Sequence, residues 1–136
     1  MLDISWVIDE LTSANINALR SKYREPTLTS MVNLPVVFVG YVGFQNETNT
    51  IDTPDIYPQH VQDFIQVFET QIVCAEEDFV DFWLSVKDAL LGKNPSQLEQ
   101  NFSSINYVEG GVMGLDSGKL WWTDRWKIST PITLPA

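Results

Sequence analysis

Cysteine and histidine are almost absent from this chain: Cys74 and His60 are the only ones. A single thiol excludes an internal disulfide, so the fold does not depend on an oxidising compartment. A single imidazole excludes a His-based metal cluster, and the carboxylates lack the spacing of an EF-hand loop. Positive charge is scarce as well, with 8 Lys and Arg against 18 Asp and Glu and a net charge of −10. A duplex-DNA binder needs a basic footprint to neutralise phosphates, and the densest basic stretch here is Arg20, Lys22 and Arg24. These three fall at the end of an expected helix, where they complement its dipole. No apolar run approaches the roughly 20 residues of a membrane span. The opening MLDISWVIDEL carries Asp3, Asp9 and Glu10 where a secretory leader carries Lys or Arg. The expectation is an intracellular protein without membrane association, in which the glycosylation-type triplets at Asn46 and Asn101 carry no meaning.

What is present is aromatic bulk. Seven Phe and five Trp in 136 residues supply one compact core, and a chain of this length folds as about one domain. Ile4, Val7, Ile8, Leu11 and Leu19 recur at helical spacing, with Asp3 placed as N-cap, and predict a helix from about 4 to 23, ended by the Glu25-Pro26 step. Its middle, Thr12 to Asn15, has modest helix propensity. Leu34 to Phe44 is too continuously apolar for a strand with one wet face, so it predicts a strand covered on both sides, by the first helix on one of them. Residues 45–61 are polar, with two prolines, and suggest a projecting loop or hairpin arm. Phe64 to Cys74 alternates as a strand does. Phe79, Phe82, Trp83, Val86 and Leu90 then stripe one helix, stopped by Gly92. Two strands joined by a Gly110-Gly111 turn follow, over Phe102–Glu109 and Val112–Leu115. Asp116-Ser117-Gly118 is a hairpin signal, and a last strand runs from Lys119 to Ile128. The expected fold is a single α+β domain over 1–136, a mostly antiparallel sheet packed against two main helices in the order α-β-β-α-β-β-β.

Candidate chemistry is thin. Cys74 and His60 form a conceivable nucleophilic pair, but Cys74 ends a strand, where a buried structural thiol is common. Gly110 to Gly114 is glycine-rich, but a phosphate cradle leads from a strand into a helix, and here strands lie on both sides. Asp52 and Asp55 sit in the polar arm as turn residues, and the run Glu76-Glu77-Asp78 suits a helix N-terminus. No catalytic residue, cofactor or metal ligand is nominated. In the last strand Leu120, Trp122, Trp126 and Ile128 share one face, while Trp121, Thr123, Arg125 and Lys127 share the other. Trp121 is therefore a large aromatic on a polar face, and a candidate interface anchor beside Arg125.

Three features together resemble the tail terminator proteins of long-tailed bacteriophages. One is the middle segment, from Phe64-Ile65-Gln66-Val67 through Val80-Asp81-Phe82-Trp83 to Ala89-Leu90-Leu91-Gly92-Lys93-Asn94-Pro95. The second is the closing Gly-containing hairpin with its aromatic last strand, Gly118 to Ile128, and the third is the amphipathic N-terminal helix before a long apolar strand. The resemblance implies a subunit that assembles as a hexameric ring on the tail tube, stops its elongation and joins the tail to neck and head proteins. DNA would pass through the lumen without specific binding, which suits an acidic protein. Its expected place is the virion, with assembly in the host cytoplasm. A cyclic ring needs two different, complementary patches on each subunit. The nominees are the arm, with Asp52, Ile56 and Tyr57, and the face of Trp121 and Arg125.

Other classes stay open. A neck or completion protein of the head–tail connector shares the size and symmetry. An acidic DNA-mimic inhibitor fits the charge, although the carboxylates are scattered rather than arrayed. An enzyme whose site carries no familiar signature is the remaining alternative.

Overall fold

The computed structural model describes residues 2–21, 34–46, 59–96 and 102–135. Asp3 opens the first helix, α1 (Ile4–Ser13), its carboxylate accepting the Ser5 backbone N–H at 2.9 Å. Ile4, Val7 and Leu11 turn inward. The helix stops at Ser13 rather than near residue 23. Asn15 takes a left-handed conformation (φ 61°), and the Ala14 and Ile16 N–H groups close back on the carbonyls of Glu10 and Leu11. The weak helix formers of this stretch let the chain leave. Ile16 is buried, whereas Leu19 lies in a three-residue strand, β1 (Ala18–Arg20), with its side chain exposed.

Four longer strands complete one sheet: β2 (Val36–Asn46), β3 (Gln59–Ala75), β4 (Asn106–Asp116) and β5 (Lys119–Pro135). Their order across the sheet is β1-β2-β3-β5-β4, with β1 parallel to β2 and every other pairing antiparallel. The second helix, α2 (Phe79–Leu90), follows β3 through a single 3-10 turn at Glu76–Asp78. The molecule is an α+β domain with two helices on a mostly antiparallel sheet, but the chain order is α-β-β-β-α-β-β. One strand comes earlier than expected, and the segment before the hairpin holds one strand instead of two.

The loss of the expected turn follows from strand pairing. Gly110-Gly111 does not turn: β4 runs straight through it, paired with Asp124 and Thr123 of β5, and absorbs its irregularity in bulges at Val108 and Met113. The turn is made only at Ser117 and Gly118, whose φ values of 52° and 78° are those of a two-residue hairpin loop. Gly92 (φ 78°) ends α2 as expected, and its N–H donates to the Ile105 carbonyl, tying the helix exit to the entry of β4.

Val36, Val37, Phe38 and Val39 are all buried, so the first half of β2 is covered on both faces, whereas Leu34, Tyr41, Val42 and Phe44 of the same apolar run are exposed, because the cover ends with β1. Val37 and Val39 join the main core beneath the helices, together with Phe68, Ile72, Trp126 and Ile128. Val36, Phe38 and Val73 form a smaller cluster on the opposite face. Gln66 is buried beneath the helices and satisfied by the chain's start. Its amide oxygen accepts the Leu2 N–H at 2.8 Å, and its amide nitrogen donates to the Leu2 carbonyl at 2.9 Å.

β3 and β5 outrun their neighbours. The ladder extends from Ala75↔Lys119 to Gln59↔Pro135, while β2 stops opposite Phe64 and β4 begins opposite Lys127. Gln59–Asp63 and 131–135 therefore form a two-stranded ribbon beyond the sheet, unpaired on its outer sides among the described residues. The arm expected at 45–61 is strand at both ends, 45–46 and 59–61. Its middle, 47–58, lies outside the described residues.

Candidate functional site

The densest polar arrangement sits on the helix side of β5. The alternation of β5 points Trp122, Asp124 and Trp126 under α2, and Asp124 is fully buried there. Its Oδ1 accepts three hydrogen bonds: from Trp122 Nε1 at 2.7 Å, from the Tyr107 hydroxyl at 2.8 Å and from Trp83 Nε1 at 3.3 Å. One oxygen thus joins β4, β5 and α2, while Oδ2 is buried without a hydrogen-bond partner. Gly110 is what lets the carboxylate in. A Cβ at that position would collide with the Tyr107 hydroxyl and with Asp124 Oδ1, and would stand 3.0 Å from Trp122 Cζ2.

Aromatic rings seal this hub. Phe79 lies against Trp122 with centroids 4.9 Å apart, Trp83 meets Trp122 edge-on at 6.2 Å, and Tyr107 meets Trp126 at 5.2 Å. Trp126 donates in turn to the buried Thr70 hydroxyl at 2.9 Å. The Lys87 ammonium caps the cluster, 3.6 Å from the Tyr107 ring centroid and 3.8 Å from that of Trp83. Burial, and then the hydrogen bond to Asp124, push the Tyr107 phenol well above its ordinary pKa. A sealed carboxylate held by three neutral donors cannot meet a substrate; its chemistry is to fasten α2 to the last hairpin.

The nominated residues are distributed differently. Trp121 is half-buried on the opposite face, packed on Val36, Phe38 and Val73, so much of its surface is already taken up within the chain. Arg125 is exposed on that face, with Glu69 and Glu109 as its cross-strand neighbours, and helps line a shallow depression with Glu109, Gly111 and Thr123. Asp52, Asp55, Ile56 and Tyr57 lie outside the described residues. Cys74 and His60 occupy the same strand 14 residues apart, about 45 Å at the rise of a β-strand, so they cannot form a nucleophilic pair. The Cys74 thiol is buried, and burial, then the nearby Asp78 charge, raise its pKa. Among the described residues, no cluster of His, Cys, Asp or Glu is able to hold a metal, and no helix is long and apolar enough to cross a membrane.

What sequence reasoning did not isolate is the distribution of exposed apolar side chains. Among the residues whose side chains are described, the exposed apolar ones of the sheet's strands lie on the outer strands at its two ends rather than on β3 and β5. At one end β4 exposes Val108, Val112, Met113 and Leu115. Above it α2 exposes Val80 and Leu84, which share a helix flank with Lys87 by their spacing of four and three, and Leu91, the cap residue just after the helix, is exposed as well. Lys87 reaches over Tyr107 of β4, so that flank lies on the β4 side of the sheet, where Val112 and Leu115 share the helix-facing side with their partners Trp122 and Leu120. At the other end Leu19 of β1 and Tyr41, Val42 and Phe44 of β2 are exposed. Only Val37 to Val39 of β2 are paired with β1, so residues 40–46 have no outer strand among the described residues. The signal for the first set was present in the sequence: Val80, Leu84 and Leu91 lie outside the core stripe of α2.

No protein-family model matches this chain, and no curated protein matches it.

Proposed function

We propose that this chain is a structural protein of a tailed-phage virion, a tail-terminator-like subunit that closes into a ring, six-fold by the resemblance. The ring caps the tail tube, stops its elongation and presents a surface to neck and head proteins. It acts by assembly and not by catalysis, in the virion and, during assembly, in the host cytoplasm. The observation that carries this reading is an open sheet with exposed apolar side chains at both ends, and at both ends different ones. Exposed apolar surface of this kind marks protein contacts, and two unlike patches on opposite sides are what a head-to-tail ring requires. The net charge of −10 supports the same reading, since an acidic wall lets DNA pass without gripping it.

Light scattering and negative-stain images of the purified protein test it. The expected result is a closed ring with a central hole that, added to polymerising tube protein, shortens the tubes. A persistent monomer at micromolar concentration overturns the proposal. If that monomer also competes with DNA for a DNA-binding protein, the mimic reading replaces it.

A further inference from the structure

The two ends of the sheet differ in a way that fixes how copies meet. We infer that the α2–β4 side of one copy receives the β1–β2 rim of the next, so that neighbouring sheets lie end to end around the assembly. This rests on the ring reading and adds to it the mating surfaces and their polarity.

Three observations favour a second copy as the occupant. First, the ends are complementary in kind. The α2–β4 side is broad and aliphatic, with Val112 63% and Leu84 52% exposed, while the rim offers the aromatic projections Tyr41 and Phe44, the latter 53% exposed. Phe44 is braced edge-on by Phe64 at 6.5 Å, and the Tyr41 hydroxyl is held by the Ile4 N–H at 3.1 Å. The projections are therefore ordered before docking, which lowers the entropy lost on binding. Second, the edge strands differ in charge. β4 carries Glu109 and Asp116 and no cation, whereas β1 carries Arg20 and no carboxylate. Arg20 is anchored by Ser5 and Asp3 but keeps about half of its side chain exposed. Pairing two β4 edges would bring their carboxylates together, which disfavours a two-fold dimer through that side. Third, both ends have open backbone among the described residues, β4 along its outer edge and β2 over 40–46, so apolar contact can be reinforced by strand-to-strand hydrogen bonds.

A mixing experiment reads the polarity directly. Leu84→Glu spoils the α2–β4 side and Phe44→Glu spoils the rim, both at exposed positions, and circular dichroism with thermal melts confirms that each variant folds. Each alone is expected to lose self-association by about 100-fold or more, because a buried carboxylate would lack a partner. Mixed together, the two variants retain one intact side and one intact rim between them, and they should form a 1:1 dimer that grows no further. Two outcomes overturn the inference: assembly of either variant like the wild type, which for Phe44→Glu alone would mean that α2–β4 sides pair with each other, or the absence of a 1:1 dimer when the two folded variants are mixed. A monomeric wild type is a separate result and removes the ring reading itself.

Discussion

The hub around Asp124 and the two ends of the sheet are opposites in composition and in state. In the hub a charged group is enclosed by Trp and Tyr rings, and its Oδ1 is shared by three donors drawn from three elements. At the ends, large apolar groups stand exposed among the described residues. Each inverts the usual rule for its location, and the inversions carry different meanings. A buried polar group that is well bonded fixes one packing arrangement, because any other arrangement leaves it desolvated and unpaired. Exposed apolar groups that are grouped rather than scattered point to a surface covered by something else. The hub should therefore govern whether the chain folds, and the ends whether folded chains associate.

The largest effect expected is that of Asp124→Ala. Three half-buried donors lose their acceptor at once, so unfolding stability should fall by about 2–4 kcal/mol. Assembly would be lost only as a consequence of unfolding. A variant that melts like the wild type in denaturant titrations would show that the hub is not structural. Next comes Trp121→Ala, which sharpens the comparison because Trp121 belongs to neither region. Its contacts with Val36, Phe38 and Val73 predict a loss of about 2 kcal/mol, with ring formation intact below the melting temperature. Loss of rings at unchanged stability would instead move Trp121 into the interface, as its position on a polar face first suggested.

The legible parts of the fold were those set by local chemistry. Asp3 as N-cap, Gly92 as helix stop, the Ser117-Gly118 turn and the two faces of the last strand each follow from a residue's own backbone or pattern, and each is found. What failed depended on distant partners. The spacing that counted Leu19 into α1 had no means of registering that Asn15 would turn left-handed and that β2 would recruit Ala18–Arg20. Gly110-Gly111 has turn composition, but its role is to leave room for a carboxylate 14 positions later in the chain. Asp124 itself sits among Trp122, Trp126 and Ile128 on the apolar face. A charged residue at an inward position was the signal that would have located the hub.

Smaller effects probe how tightly the hub is fitted. Gly110→Ala places a methyl group against the Tyr107 hydroxyl and Asp124, and should cost about 1–2 kcal/mol without removing any of the exposed apolar side chains at the ends of the sheet. The smallest effect is a pH dependence. The folded state keeps the Tyr107 phenol neutral above its ordinary pKa, so this contribution to stability is complete below about pH 10 and is lost as pH rises beyond it. The melting temperature of the wild type should therefore fall between about pH 10 and 11 more steeply than that of Tyr107→Phe, which has no phenol proton to lose. At neutral pH Tyr107→Phe should be slightly less stable, by about 1 kcal/mol, because Asp124 Oδ1 loses one donor but keeps two. Parallel alkaline slopes for the two proteins would mean that Tyr107 titrates as freely as an exposed tyrosine, and that the hub is open to water where its geometry says it is closed.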